Sequence, residues 1–163
     1  MVRSYKYDRR LELAVPLALG MVQTLERNNI APDLVVPVPM HPLKRFRRGF
    51  DHAALLASKI ARHIDRPRLT RVLRRKKLGS SMVGLAFHAR MKLASEVYAL
   101  RPDSRLKDRS VLLVDDVMTT GATASACARL LRDGGAQRVY VVVVARQSSS
   151  LLSQSSPATV DFP

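Results

Sequence analysis

Two adjacent carboxylates, Asp115 and Asp116, are followed within a few residues by Thr119, Thr120, Gly121 and Thr123. Ionised carboxylates only accept hydrogen bonds, which suits them to vicinal sugar hydroxyls or to a hydrated Mg²⁺. A short loop of hydroxyls that opens a helix suits phosphate, through its amides, its Thr side chains and the positive end of the helix dipole. Together they describe a ribose-phosphate site. In isolation such residues more commonly form a turn and a helix cap. Here the whole string VLLVDDVMTTGAT, Val111 to Thr123, fits one ligand. Other phosphate motifs do not fit: a Walker A loop needs a Lys after its second Gly, and a dinucleotide-binding turn needs three spaced glycines. A receiver domain also places paired aspartates at a strand end, but too little chain follows here to build the rest of one.

The run Val111-Leu112-Leu113-Val114 has no polar residue alternating with it, which predicts a strand covered on both faces. In a continuing strand the two carboxylates would point to opposite faces. Met118 to Gly121 is therefore expected to supply a turn that brings both to one ligand. Ala122 to Leu131 reads as a helix of small and apolar residues, stopped by Gly134-Gly135. Arg138 to Ala145 is a β-branched buried strand that completes a βαβ unit.

Upstream, Arg9 to Asn28 carries an apolar stripe (Leu11, Val15, Ala18, Leu19, Val22, Leu25), the spacing of a helix, with Pro16 expected to kink it. Asp33 to Pro39 reads as the first core strand. Asp51 to Ile64 reads as a helix capped by Asp51. Glu96 to Leu100 suits a short strand, and Arg101 to Ser110 a polar connection. These 163 residues, 47% apolar, predict one domain over 1–147, with 148–163, rich in Ser and Pro, as a flexible tail. No apolar run is long enough to span a bilayer. The single cysteine, Cys127, leaves no intramolecular disulfide and no Cys-based zinc site, and fits a reducing cytoplasm.

Charge is concentrated in the first half. From His41 to Lys77 there are thirteen Lys or Arg against two Asp, eleven of the formal net charge of +15. A solvated face is the usual meaning of a charge run, yet this concentration favours a polyanion. Lys44, Arg45, Arg47 and Arg48 follow the first strand. Arg71 to Leu93, with Arg74-Arg75-Lys76-Lys77 and then Gly and Ser, reads as a mobile loop. Few aromatics accompany these residues, so no base-stacking platform is evident. His52 and His63 lack metal-ligand spacing and are expected to be solvated or hydrogen-bonded.

VLLVDDVMTTGAT is similar to the PRPP-binding motif of type I phosphoribosyltransferases. With VVPVPMHPLKRFRRGF before it, the chain resembles their ComF/GntX-type, competence-related branch from Tyr5 to Gln147. The resemblance implies an α/β fold with an open, mostly parallel sheet flanked by helices. It implies that Asp115 and Asp116 are the catalytic pair, holding the ribose hydroxyls and Mg²⁺. Met118, Thr119, Thr120, Gly121, Ala122 and Thr123 would complete the PRPP site, and Met40, His41, Lys44, Arg48 and Arg90 would receive pyrophosphate. The expected reaction moves phosphoribosyl from PRPP to an acceptor that the residues do not name. An alternative of another class is a non-catalytic competence factor that binds single-stranded DNA or DNA-uptake proteins; a homodimer is a further expectation. The chain departs from the family at Asp51-His52, where Asn-Gln is usual, and at Met82, Leu93 and Glu96. Family members often carry a four-cysteine zinc module ahead of the segment that Tyr5-Lys6-Tyr7 resembles; the chain has one cysteine.

Overall fold

The computed structural model of the chain describes residues 13–40, 50–76, 97–146 and 158–162. In chain order these form α1 (Ala14–Arg27), β1 (Leu34–Pro37), α2 (His52–His63), β2 (Leu73–Arg75), β3 (Tyr98–Leu100), β4 (Ser110–Met118), α3 (Ala122–Asp133), β5 (Arg138–Arg146) and β6 (Ala158–Phe162). The main sheet has the order β1-β4-β5-β6. β4 lies parallel to both β1 and β5, and β6 closes the edge antiparallel to β5. β2 and β3 form a separate antiparallel hairpin-like pair, with Leu73 opposite Leu100 and Arg75 opposite Tyr98.

The unbroken apolar run of β4 has its cause in two cores, one on each face of the sheet. Val111 and Leu113 share a core with Leu34, Val36, Val139 and Val141, with Cys127 and Leu131 of α3, and with Leu73 and Tyr98 of the small sheet. Leu112 and Val114 face the other way, against Met21 and Leu25 of α1 and Leu56 and Ile60 of α2. Successive strand residues point to opposite faces, so a central strand covered on both must be apolar throughout. The result is the expected α/β architecture, with α1 and α2 on one face and α3 with the β2–β3 pair on the other.

Several boundaries differ from the sequence expectation. α1 runs unbroken through Pro16, which falls in the first turn, where helix amides lack an intrahelical carbonyl and a missing N–H costs nothing. The helix stops at Asn28, followed by Asn29 in the left-handed region at φ 52°. α2 starts as its cap predicts: the Asp51 carboxylate accepts the Ala54 amide at 3.0 Å. His52 is not solvated. It is fully buried, with the Phe50 ring edge-on at 4.8 Å. Within the stretch expected to be a loop, Leu73–Arg75 is a strand, because the backbone of β3 offers it a partner; residues 77–96 lie outside the described residues. Within the stretch expected to be a tail, Ala158–Phe162 pairs with Val139–Val143, covering what would otherwise be an open sheet edge.

The start of β1 is tied to the start of β4. Asp33 accepts hydrogen bonds from the Ser110 amide and hydroxyl, both at 2.8 Å. These bonds, reinforced by Arg109, hold the Asp33 carboxyl below the ordinary Asp value. A depressed folded-state value means stabilisation that is present above the unfolded pKa, about 3.9, and is lost as pH falls through the folded one. Asp33→Asn is therefore expected to unfold at lower urea concentration than the native chain at pH 7, with the difference shrinking as titration proceeds below pH of about 4.

Candidate functional site

The carboxyl end of β4 carries Asp115 and Asp116, both half-buried. The turn expected over Met118 to Gly121 follows both carboxylates and starts one residue later. β4 continues to Met118, because β5 runs alongside and pairs Val117 with Ala145 and Met118 with Arg146; the reversal begins at Thr119. The paired register passes from Asp115 to Val117, and the full burial of Val111 to Val114 gives way to partial burial at Asp115, Asp116 and Val117. One oxygen of each carboxylate accepts a neighbouring amide: Asp115 Oδ1 takes the Asp116 N–H and Asp116 Oδ1 the Val117 N–H, each at 2.8 Å. These bonds hold both side chains close to the strand end without a turn between them.

Thr119 and Thr120 are exposed, and Gly121 caps α3 with φ 78°. The Ser125 amide donates to the Gly121 carbonyl at 2.8 Å, so the first amides of a twelve-residue helix face the loop 119–121. A Cβ on Gly121 would meet only the Met118 sulfur at 3.6 Å, an ordinary contact. The requirement for glycine is thus conformational. Gly121→Ala is expected to cost about 1–2 kcal/mol in urea unfolding.

A residue that motif reasoning missed completes the surroundings. Tyr98 of β3 is buried against this loop, with its phenol beside the Thr123 side chain. Burial raises its phenol pKa, so it stays protonated. The Arg75 guanidinium lies 5.7 Å from the Tyr98 ring centroid, a cation–π distance. Nothing in the local sequence of Tyr98 marks it; its role arises from strand pairing across the small sheet. Cys127, one turn into α3 from Thr123, is fully buried, and burial together with Asp115 pushes its thiol up, so it is not a nucleophile.

Beside this strand end lies a broad open cleft of about 1090 Å³. Its floor is Pro37 to Met40 after β1, and its walls carry Arg68, Arg71, Arg74, Arg75 and Arg101. Met40, expected at the pyrophosphate site, is thus placed in the cleft; His41, Lys44, Arg48 and Arg90 lie outside the described residues. No group of three or more His, Cys, Asp or Glu that could hold a metal occurs among the described residues.

The sequence profile of the phosphoribosyl transferase domain matches residues 20–162. The chain belongs to this phosphoribosyl transferase domain family. Competence protein F of Haemophilus influenzae is 33% identical over 140 residues, 85% of this chain and 61% of that protein. DNA utilization protein YhgH of Escherichia coli is 28% identical over 151 residues, 90% of this chain and 66% of that protein. The chain therefore spans somewhat less than two-thirds of the length of these relatives. Among solved structures, the adenine phosphoribosyltransferase of Saccharomyces cerevisiae superposes with a TM-score of 0.57 at 16% identity, over 85% of this chain and 71% of that one. The purine phosphoribosyltransferase of Pyrococcus horikoshii superposes with a TM-score of 0.52 at 16% identity, over 85% and 75%. These two share the fold.

Within the phosphoribosyl transferase frame, Asp115 and Asp116 lie near the carboxyl end of the central strand, and Thr119 to Gly121 link it to α3. Asp51 and His52, the departures after Arg-Gly-Phe, have structural roles: one caps α2 and the other is buried under Phe50. The departures Met82, Leu93 and Glu96 lie outside the described residues. No helix among the described residues is long and apolar enough to cross a membrane.

Proposed function

We propose that the protein binds the ribose 5-phosphate part of PRPP, with Mg²⁺, at the carboxyl end of β4, and transfers phosphoribosyl to an acceptor. The observation that carries this reading is the direct passage from two half-buried carboxylates into a Thr-rich loop at the positive end of α3. Asp115 and Asp116 accept the ribose hydroxyls, while the amides at the start of α3 and the hydroxyls of Thr119, Thr120 and Thr123 hold the 5′-phosphate. Tyr98, packed in one core with Met118 and Ala122, ties the loop to the small sheet.

The two carboxylates fit a Mg²⁺ that is shared with the ligand, since this ion is commonly held by one or two carboxylates plus substrate phosphates rather than by a full protein cage. When bound, the ion would neutralise charge on the pyrophosphate oxygens. In the transfer, a nucleophilic atom of the acceptor forms a bond to ribose C1. The bond from C1 to pyrophosphate breaks, pyrophosphate leaves with the electron pair, and the acceptor's proton passes to water. No side chain need bond covalently; orientation by Asp115 and Asp116 and cationic stabilisation of the leaving group supply the catalysis. Calorimetric titration with PRPP in the presence and absence of Mg²⁺ tests the reading. Saturable, Mg²⁺-dependent binding is expected, and no heat at millimolar PRPP would sink it.

A second reading is favoured by the names of the curated relatives, one a competence protein and one a DNA utilization protein, together with the net charge of +15. It is a non-catalytic factor that holds single-stranded DNA on its basic surface. Its affinity would fall steeply with salt, by a log–log slope of about 0.7 per phosphate contacted. Salt-independent binding, or none at low salt, would exclude it.

A further inference from the structure

We infer that Tyr98 is a positioning residue, whose ring holds the Arg75 guanidinium at the rim of the cleft that takes the leaving group. It sets the span between that cation and the phosphate loop; this rests on the PRPP-binding reading above. Tyr98 and Arg75 stand directly opposite each other in the β2–β3 pair. Residues opposite in an antiparallel pair project from the same face, as do residues two apart along one strand. Leu73, Arg75, Tyr98 and Leu100 therefore share one face of the small sheet, and Leu73 and Tyr98 place that face on the core. Arg74, between Leu73 and Arg75, projects from the other face and is exposed. Arg75 is thus an arginine in an inward-facing position. It is half-buried, its stem along the core and its charged head at the cleft, which it lines together with Pro37 and Val38 at the end of β1.

The way out of the core passes over Tyr98. The guanidinium lies 5.7 Å from the ring centroid, within reach of the negative face of the ring. The ring itself is fixed: it is 3% exposed and shares a core with Met118, Ala122 and Cys127. Met118 and Ala122 flank the loop 119–121. The strand that carries the ring is clamped at both ends, the Lys76 amide donating to the Val97 carbonyl and the Arg101 amide to the Val72 carbonyl, each at 2.7 Å. Leu100 packs so closely on the end of α3 that a Cβ on Gly134 would collide with it. Through Tyr98 and Leu100, β3 therefore touches α3 near its first turn and at its last. The charge of Asp115 also reaches the Tyr98 phenol. One aromatic side chain thus stands between the cation of the cleft and the carboxylate of the ribose site.

A solvated arginine loses much rotamer entropy when a ligand orders it. Arg75 is already ordered against the ring, so less is lost when pyrophosphate arrives. Its planar donors match phosphate oxygens two at a time, and that match needs the guanidinium plane in a set orientation, which stacking on the ring supplies. The bond changes of the transfer are those given above. Tyr98 acts on the leaving group through Arg75.

The test is calorimetric titration of the full chain with magnesium pyrophosphate, ribose 5-phosphate and PRPP. Tyr98→Leu is expected to bind pyrophosphate roughly three- to thirtyfold more weakly, the range of a cation–π contact. Ribose 5-phosphate should bind the same variant within about twofold of the native chain, because the loop amides and hydroxyls are kept. Tyr98→Phe keeps the ring and should restore native pyrophosphate affinity. Arg75→Gln should weaken pyrophosphate binding by about tenfold or more in the native chain. In the Tyr98→Leu background the same substitution should have a distinctly smaller effect, since the arginine is no longer held there. A ring that merely filled space would lower stability yet leave the Arg75→Gln effect equal in both backgrounds, and that additivity overturns the inference. Equal losses for pyrophosphate and ribose 5-phosphate overturn it as well. So does pyrophosphate binding that is undiminished in Tyr98→Leu, lost to the same extent in Tyr98→Phe, or absent from the native chain. If urea unfolding and circular dichroism show Tyr98→Leu to be unfolded, Tyr98→Met refills the volume without a ring and takes its place in the cycle. A native chain that binds pyrophosphate but no PRPP overturns the transfer reading, while the link between Tyr98 and Arg75 is still decided by the pyrophosphate cycle.

Discussion

In the double variant Asp115→Asn, Asp116→Asn, titration with PRPP and Mg²⁺ is expected to give no measurable binding. Each carboxylate offers charge-assisted hydrogen bonds of about 1.5–3 kcal/mol. Losing the charge of both corresponds to roughly 10²- to 10⁴-fold in affinity. The same change removes the two anionic oxygen donors that Mg²⁺ would share with the ligand. The fold should survive, because asparagine keeps a side-chain carbonyl oxygen in the same place. That oxygen can still accept the Asp116 and Val117 amides that the carboxylates hold at 2.8 Å. Circular dichroism and urea unfolding provide the control. Undiminished PRPP binding by a folded double variant would remove these residues from the site.

The second large effect is on stability. Leu112→Ala is expected to destabilise the chain by about 2–5 kcal/mol, read as a lower urea midpoint with little change in slope. Leu112 is fully buried on the central strand, between Val35 of β1 and Tyr140 of β5, and it faces the α1–α2 core. Truncation there leaves a cavity that elements on both sides cannot close, since the two flanking strands are fixed by backbone pairing. Val15→Ala on the exposed face of α1 is the matched control, expected to change stability by less than about 0.5 kcal/mol. Comparable losses in the two variants would mean that β4 does not have the central place assigned to it.

What could be read before folding was whatever depends on near neighbours in the chain. The run Val111 to Val114 declared a strand covered on both faces, and two cores cover it. Asp51 announced its cap, and Gly121, the single glycine of its loop, marks the left-handed residue before α3. The carboxylate pair and the Thr-rich loop are contiguous in the chain, so their closeness was legible as well. Local pattern misjudged Pro16, because the cost of a proline depends on which turn of the helix it occupies. It also began the turn after the aspartates at Met118, which pairing with Arg146 of β5 keeps in the strand.

Tertiary structure alone decided the remainder. Ala158–Phe162 and Leu73–Arg75 are strands because a partner backbone lies beside them, and hydrogen-bonded pairing at long range leaves little trace in composition. Tyr98 reaches Thr123 only across the small sheet. The arginine cleft is assembled from the end of β1, the segment along its edge and the β2–β3 pair. By itself the sequence determined that a buried strand carries two adjacent carboxylates into a Thr-rich loop before a helix, and that the first half of the chain is strongly basic. Which of those basic residues meet in one space, and that they meet beside the carboxylates, followed only from the packing. Electrostatic attraction to a ligand depends on distances between charges, and distances between remote residues exist only in the folded chain.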